Sequence, residues 1–309
     1  MIVMRCAGEH SGALAPLVQL NGRLNRLELL GVKHLSEPQD LLYSDSASLR
    51  ELLSFLYETG SPLFLERVPA DSATIAAIQE IYKRRGVVIL RQARPFPRIV
   101  LSDDWRQPES RLNSGRRSDL RRAVRIGEQI GALSHEVLAP RPEELPPLLE
   151  EAFEIEAANW KGREGSAVAR DELRGAFYRS YAAAASEAGI LRLCFLRIGG
   201  RAVAMQLALE SLNSFWLLKI GYREEFARCS PGMILIAESI RYAASKGLSS
   251  FEFLGTAEGW TRVWAKDERP SVSVRAYPSS VRGTAALAVD AVRAGCNRFA
   301  NILRSLGSS

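Results

Sequence analysis

A strand, a loop and a helix follow one another closely between residues 214 and 245, and this segment constrains the fold most. The apolar strand predicted for 214–220 leads through a loop at 221–230 into the helix predicted for Pro231–Ser245. Proline is favoured at the first helical position, and Ser230 before it is a good N-cap residue. Gly247 supplies a common helix stop. A strand followed this sharply by a helix is typical of layered α/β structure.

Strands and helices alternate on both sides of this segment, which predicts an α/β (α+β) fold. The first strand is predicted at 24–32. Further strands are predicted at 63–68, 87–92, 132–138, 190–198, 202–210, 250–254 and 272–277, and helices at 48–58, 71–85, 118–129, 143–160, 171–187 and 282–306. Residues 93–109 are interpreted as a connector around a short strand at 98–101. We expect an N-terminal domain at 1–129, a second domain at 130–280 and a C-terminal amphipathic helix at 281–309.

Composition narrows the class of protein. The 309 residues are 47% apolar and carry a net charge of +6, which allows one or two real cores and weakly favours anionic partners. The four cysteines form no Cys-x-x-Cys pair and the three histidines lie far apart, so we expect reduced thiols and no metal. No signal peptide or membrane-spanning stretch is recognisable. We expect a cytoplasmic protein, with peripheral membrane contact through the last helix as an alternative.

The helix that begins at Pro231 is a candidate anion site. The first N–H groups of a helix lack partners and stand at the positive end of its dipole, so phosphates are common ligands there. Gly232 leaves the backbone open to a ligand, and Arg228 adds a cation upstream. A well-capped core helix without a ligand fits the same residues. Neither the phosphate-loop consensus nor G-x-G-x-x-G occurs, which disfavours nucleotide-hydrolysing and dinucleotide-binding folds.

Four ordered elements resemble a known family. They are Trp160-Lys161-Gly162 with Gly165-Ser166-Ala167, Gly200-Arg-Ala-Val-Ala204, Leu218-Lys-Ile-Gly-Tyr222 with Ser230-Pro-Gly232, and Phe251-Glu-Phe-Leu-Gly255 with Glu258 and Trp264. Together they resemble the CelD/BcsL-like acetyltransferases, which belong to the GNAT superfamily and are close to FemAB-type transferases. The similarity is good over residues 140–270 and loose in the N-terminal part.

The resemblance implies tandem GNAT-like domains with mixed central sheets flanked by helices, the N-terminal one degenerate. The second domain would hold acetyl-CoA or another acyl-CoA as co-substrate. Its phosphates would lie at the helix start, with Lys219 as a further contact, so the cofactor-binding candidates are Lys219, Arg228, Ser230, Pro231, Gly232 and Met233. A backbone N–H within 216–219 would stabilise the oxyanion that forms when an amine attacks the thioester.

Candidate catalytic residues lie at the ends of two strands. Glu252 and then Glu258 are considered as general base, and Tyr222 as the acid that protonates the leaving thiolate. The candidates for the acceptor cleft are Trp160, Lys161, Trp260, Arg262 and Trp264. An exposed charge, a structural hydrogen bond or core packing is the alternative reading of each residue.

The chain departs from the family pattern at four positions, and its N-terminal part also looks one strand short. Arg223 and Glu252 replace a usual Asp, and Trp260-Thr261 replaces a usual Tyr-Lys pair. If the family lysine touches substrate, Thr261 puts that contact in doubt, and Arg262 is the neighbouring cation.

An arginine cluster is the other notable feature, comprising Arg111, Arg116, Arg117, Arg121, Arg122 and Arg125. Three of these residues, Arg117, Arg121 and Arg125, share a helix face at i, i+4 and i+8. Such a face could meet phosphates of tRNA, an acyl carrier protein or an anionic glycan. A solvated helix face is the alternative.

The leading functional hypothesis is N-acyl transfer from acyl-CoA to an amine of a sugar, a sugar nucleotide, or a related envelope, exopolysaccharide or natural-product precursor. The first alternative is a FemAB-like transferase that takes an aminoacyl group from tRNA and uses the arginine face for RNA. The second is a non-catalytic subunit of a polysaccharide assembly system that keeps the GNAT fold. The resemblance, rather than any residue spacing, suggests this acceptor class.

Overall fold

The computed structural model describes residues 2–7, 12–20, 24–31, 37–158 and 172–306. The chain divides into two compact units. The first comprises Met1–Phe96 and Arg269–Ser309, and the second is Pro97–Glu268. No helix among the described residues is both long and apolar enough to cross a membrane.

The strands are β1 (Ile2–Ala7), β2 (Gly12–Gln19), β3 (Leu27–Leu29), β4 (Leu42–Tyr43), β5 (Leu63–Pro69), β6 (Gly86–Gln92), β7 (Phe96–Val100), β8 (Leu133–Leu138), β9 (Leu191–Ile198), β10 (Arg201–Ser211), β11 (Ser214–Tyr222), β12 (Ser250–Glu252), β13 (Asp267–Arg269) and β14 (Ser271–Pro278). The helices are α1 (Ser46–Glu58), α2 (Ala73–Tyr82), α3 (Ser114–Ile130), α4 (Leu145–Ala157), α5 (Glu172–Glu187), α6 (Pro231–Ser245), α7 (Thr261–Trp264) and α8 (Val281–Leu306). Short 3-10 helices occupy Asp103–Arg106, Pro108–Arg111 and Glu224–Cys229.

The first unit is built on one mixed sheet in the order β1-β2-β3-β5-β14-β6, with β4 beside β2. Strands β3 and β5 pair in parallel, whereas β14 pairs antiparallel with both β5 and β6. Helix α1 buries a leucine-rich face against the sheet, including Leu52, and α2 buries Ala77, Ile78 and Tyr82 in the same core. Helix α8 packs on the other face of this sheet, where Ala286 contacts Phe64 and Tyr277. Along each strand, these two side chains alternate with those that face α1 and α2.

The second unit has a mixed sheet in the order β13-β7-β12-β11-β10-β9-β8. Strands β11 and β12 pair in parallel, and β8 to β11 form an antiparallel succession. Helices α4 and α5 pack on one face of this sheet. Helices α3 and α6 pack on the other face, and α3 also contacts the 3-10 turn Glu224–Cys229 that precedes α6. The fold is therefore α/β with two mixed sheets flanked by helices, as expected.

The division into units differs from the expected boundaries at 129/130 and 280/281. Helix α3 lies inside the second unit, where Leu120 and Ala123 belong to the same core as α6. Strand β14 lies in the first unit, because it is hydrogen-bonded between β5 and β6. Both differences arise because residues distant in sequence share a sheet or a core.

Several predicted elements need correction. The N-terminal part is not one strand short, because β1 and β2 precede β3 and pair over residues 2–17. The short strand predicted at 98–101 is present as β7, but it begins at Phe96 and is part of the second sheet beside β12. Helix α3 begins before the expected residue 118, because the Asn113 side chain accepts a hydrogen bond from the Arg116 N–H at 2.8 Å and caps it.

Candidate active site

Strand β11 carries an irregularity at the position expected to meet the thioester. Its pairing with β10 shifts register between Leu207, which faces Lys219, and Ala208, which faces Leu217. Leu218 is therefore an extra residue, and β11 bulges there. A bulge interrupts the regular ladder and re-aims the adjacent backbone groups.

The parallel partners β11 and β12 are paired only at their beginnings. Residues Ser214 to Trp216 match Ser250 to Glu252, after which β12 ends while β11 continues to Tyr222. In the described part of the chain, no strand therefore pairs with residues 217–222 on the β12 side. The bulge at Leu218 thus lies just beyond the last pair of β11 and β12, where the two strands diverge.

Helix α6 begins just beyond this gap, but its first residues differ from the expected cap. Ser230 occupies the N-cap position with φ 44° and ψ 54°, and its hydroxyl makes no capping hydrogen bond. The prediction that its side chain caps the helix is therefore wrong, because the preceding 3-10 turn leaves Ser230 in the left-handed region. Its carbonyl instead accepts hydrogen bonds from Met233 and Ile234 at 3.0 and 3.3 Å.

Gly232 leaves space at the second position of α6. An added Cβ would have the Tyr222 ring as its nearest neighbour, at 3.8 Å from Cδ1. The space beside Gly232 is thus bounded by the last residue of β11, and Met233 next to it is half-buried. Arg228 is exposed in the last turn of the preceding 3-10 helix. Five of the residues predicted to bind the donor lie together beside Tyr222, namely Arg228, Ser230, Pro231, Gly232 and Met233, and Pro231 among them is buried.

Lys219 lies elsewhere. Its ammonium nitrogen is 4.7 Å from the centroid of the Tyr178 ring, on the sheet face that carries α5. Helix α6 packs on the opposite face. The two neighbours at the bulge, Leu218 and Lys219, therefore both belong to the α5 side, which separates the Lys219 side chain from the helix start.

Glu252 is a buried carboxylate at the end of the β11–β12 pairing. Its side chain is 3% exposed, and its Oε1 accepts a hydrogen bond from the Ser250 hydroxyl at 2.8 Å. Its backbone is opposite Trp216 of β11 on one side and Arg98 of β7 on the other. Among the residues considered as general base, Glu252 is thus the one built into the sheet where the two strands diverge.

Glu258 has a different environment. It is exposed, and its carboxylate accepts a hydrogen bond from the Trp260 indole N–H at 2.8 Å. Thr261 closes the same turn, because its hydroxyl contacts both the Glu258 N–H at 2.8 Å and the Glu258 carbonyl at 2.9 Å. The residue that replaces the family lysine is therefore 1% exposed and serves this turn.

The three candidates for the acceptor cleft in this region, Trp260, Arg262 and Trp264, lie in different environments. Trp264 is 2% exposed and belongs to the α3–α6 core, and Trp260 packs edge-on against Phe253 at 5.9 Å between ring centroids. Arg262 is exposed and lines a cavity of about 540 Å³ together with Arg111, Arg116 and Lys266. The sequence did not indicate this grouping, because about 150 residues separate Arg111 from Arg262. Trp160 and Lys161 lie outside the described residues.

The two cysteines of this core are not activated nucleophiles. Burial raises the pKa of the Cys194 thiol to about 12, and burial also raises the pKa of Cys229 just before α6. Both groups are therefore protonated thiols at neutral pH. Among the described residues, no cluster of His, Cys, Asp and Glu is arranged to hold a metal ion.

Comparison with known proteins agrees with this architecture. Residues 114–262 match the family model described as an acetyltransferase (GNAT) domain. No curated protein sequence matches the chain.

Three solved structures share the fold at low sequence identity. The C-terminal domain of a putative lysylphosphatidylglycerol synthetase from Agrobacterium fabrum is 12% identical, with a TM-score of 0.60 over 94% of this chain and 88% of that one. FemX is 13% identical, with a TM-score of 0.58 over 90% and 88% of the two chains. A conserved protein of unknown function from Bacteroides thetaiotaomicron is 13% identical, with a TM-score of 0.55 over 88% and 85%. Residues 114–262 of the second unit are thus similar to a GNAT acetyltransferase domain, and the chain has a GNAT-type fold.

Proposed function

We propose that this protein transfers an acyl group, with acetyl the first candidate, from acyl-CoA to an amine. The acceptor would be a sugar, a sugar nucleotide, or a related envelope, exopolysaccharide or natural-product precursor. One observation carries the donor half of the proposal. Strand β11 bulges at Leu218 where it leaves β12, and α6 begins just beyond with Gly232 open. The motif resemblance to CelD/BcsL-like acetyltransferases carries the acceptor half.

The donor would lie along the gap between β11 and β12. Its diphosphate would take N–H groups at the start of α6, where Gly232 lets a ligand approach the backbone. The thioester carbonyl would point to a β11 N–H within 216–219, where β11 bulges and its pairing with β12 ends. One such oxyanion donor is worth about 10²–10³ in rate.

The chemistry then needs one acid and one base. The acceptor nitrogen attacks the carbonyl carbon, a C–N bond forms, and the tetrahedral intermediate collapses with breakage of the C–S bond. The surplus proton on nitrogen would pass to Glu252, directly or through water, with Glu258 as the second candidate. Tyr222, next to Gly232, would protonate the thiolate of CoA. Placing amine and thioester together would supply much of the rate.

A second function is favoured by one surface. Arg117, Arg121 and Arg125 are exposed on α3, and this face fits the phosphates of tRNA or an acyl carrier protein. An aminoacyl-tRNA-dependent transfer is therefore the alternative activity. The departures at Arg223, Trp260 and Thr261 keep a non-catalytic GNAT-fold subunit as a third reading.

Titration calorimetry with acetyl-CoA and longer acyl-CoAs tests the donor half, and two glycines provide a matched pair of variants. Gly232 and Gly115 each occupy the second position of a helix, and an added Cβ would make only ordinary contacts at 3.8 and 3.6 Å. We expect Gly232→Ala to weaken acyl-CoA binding about tenfold, because the methyl group keeps phosphate from the backbone. Gly115→Ala should bind as the parent protein does.

Two results would contradict the proposal. One is the absence of binding by every acyl-CoA tested. The other is an equal loss of affinity in both glycine variants, because that would show that the start of α6 has no special role. Circular dichroism of both variants controls for folding, since alanine is the better helix residue by about 0.5–1 kcal/mol.

A further inference from the structure

Four cationic side chains converge on one cavity of the second unit. Arg111 ends the 3-10 helix Pro108–Arg111, Arg116 lies in the first turn of α3, and Arg262 and Lys266 come from α7 and the residue pair beyond it. Two segments of the chain, 111–116 and 259–266, thus contribute positive charge to a single recess. In the described part of the chain, no carboxylate lines it.

The nearby ion pairs do not neutralise this cavity. Arg111 meets Asp104 at 3.3 Å and Arg116 meets Asp119 at 3.7 Å, and all four side chains are about half exposed or more. Exposed pairs of this kind contribute about 0–1 kcal/mol, so a ligand can readily replace them. The Lys266 ammonium group donates to the Arg262 carbonyl at 3.1 Å, which bends it back toward the Arg262 backbone.

The cations, rather than the helix dipole, would be the ligands of an anion here. The Asn113 side chain already accepts the Arg116 N–H and closes the start of α3. Guanidinium groups bind phosphate oxygens in pairs, and a recess lined by like charges raises the local concentration of anions. The cavity volume of about 540 Å³ falls within the range of small-molecule sites, about 300–1,000 Å³.

We propose that this cavity binds the diphosphate of a nucleotide-activated acceptor, such as a nucleoside diphosphate sugar. The inference rests on the proposed function and narrows its acceptor class. A small diphosphate suits the cavity better than RNA, because the four cations converge in a recess, whereas the exposed arginines of α3 form an open row. With the acceptor diphosphate in this cavity, the start of α6 remains for the phosphates of the donor.

The test is titration calorimetry of uridine diphosphate and inorganic pyrophosphate into the full chain, with and without saturating acetyl-CoA. We expect both probes to bind with and without acetyl-CoA. Their affinity should fall as the KCl concentration is raised. Arg262→Gln and Arg116→Gln should each weaken binding about tenfold, the effect of losing one charged hydrogen-bond donor. Arg122→Gln is the control, because Arg122 is an exposed arginine of α3 outside the cavity.

The outcomes separate this inference from the proposed function. The cavity assignment would be overturned if neither probe bound, or if Arg262→Gln and Arg122→Gln lost affinity for the probes equally. Acetyl-CoA binding is measured separately and is not affected by either result. Displacement of uridine diphosphate by acetyl-CoA would also overturn it and assign the cavity to the donor. Binding of an RNA oligonucleotide without either probe would replace it with nucleic-acid recognition. If the probes bound but acetyl-CoA did not, the donor half of the proposed function would be contradicted instead.

Discussion

Ser230 has a backbone conformation that costs free energy at the entrance of α6. A residue with a Cβ in the left-handed region is disfavoured by about 1–2 kcal/mol, and the Ser230 hydroxyl makes no capping bond in return. We expect Ser230→Gly to raise the free energy of unfolding by about 1 kcal/mol in urea denaturation, after the entropy cost of glycine is included. Ser72 is the control, because its φ is −69° and its hydroxyl caps α2. If Ser230→Gly and Ser72→Gly changed the free energy of unfolding equally, the backbone conformation of Ser230 would carry no strain.

Gly221 permits a close contact between β11 and α4. A Cβ on this residue would lie 2.7 Å from the Glu156 Cα, a backbone atom that cannot rotate away. We expect Gly221→Ala to lower the free energy of unfolding by about 1–3 kcal/mol, as overpacked sites do. Gly259→Ala provides the comparison, since an added Cβ there meets nothing within 4 Å. Thermal unfolding of both variants measures the difference, and a Gly221→Ala protein as stable as the parent would contradict the close packing.

At the scale of single elements, the sequence predicted the strand β11 and the helix α6 almost to the residue. Proline at the first helical position and the apolar pattern after it are local signals, so they could be recognised without a partner. The bulge at Leu218 could not, because it exists only relative to the β10 register. The early end of β12 at Glu252 depends in the same way on its neighbours, and prediction extended that strand to residue 254.

Helix α3 has a local start signal, the N-cap residue Asn113, that lies well before its apolar pattern begins. Its first turns contain arginines rather than apolar residues, so the periodic pattern begins only at Leu120. Asn113 is a strong N-cap residue and marks the true start. The cavity at Arg262 had no comparable signal, because its members come from segments that only the folded chain brings together.

At the scale of the whole chain, both sheets take strands from distant parts of the sequence. Strand β14 completes the first unit after the second unit has been traversed, and β7 enters the second sheet before α3. Alternation of strands and helices predicted the fold class correctly, because that property is local. It could not predict which sheet receives β7 or β14, because strand pairing across more than 100 residues leaves no periodic pattern.

Two fragments distinguish the observed units from the boundaries suggested by sequence. A fragment of residues 97–268 keeps β7 beside β12 and keeps Leu120 and Ala123 of α3 in the core. A fragment of residues 130–280 loses both and retains β14 without its partners β5 and β6. We expect the first to unfold cooperatively in urea and the second to aggregate or to unfold without a transition, because it exposes apolar core and an unpaired strand edge. A cooperative transition in 130–280 together with none in 97–268 would mean that α3 and β7 are dispensable for the second unit.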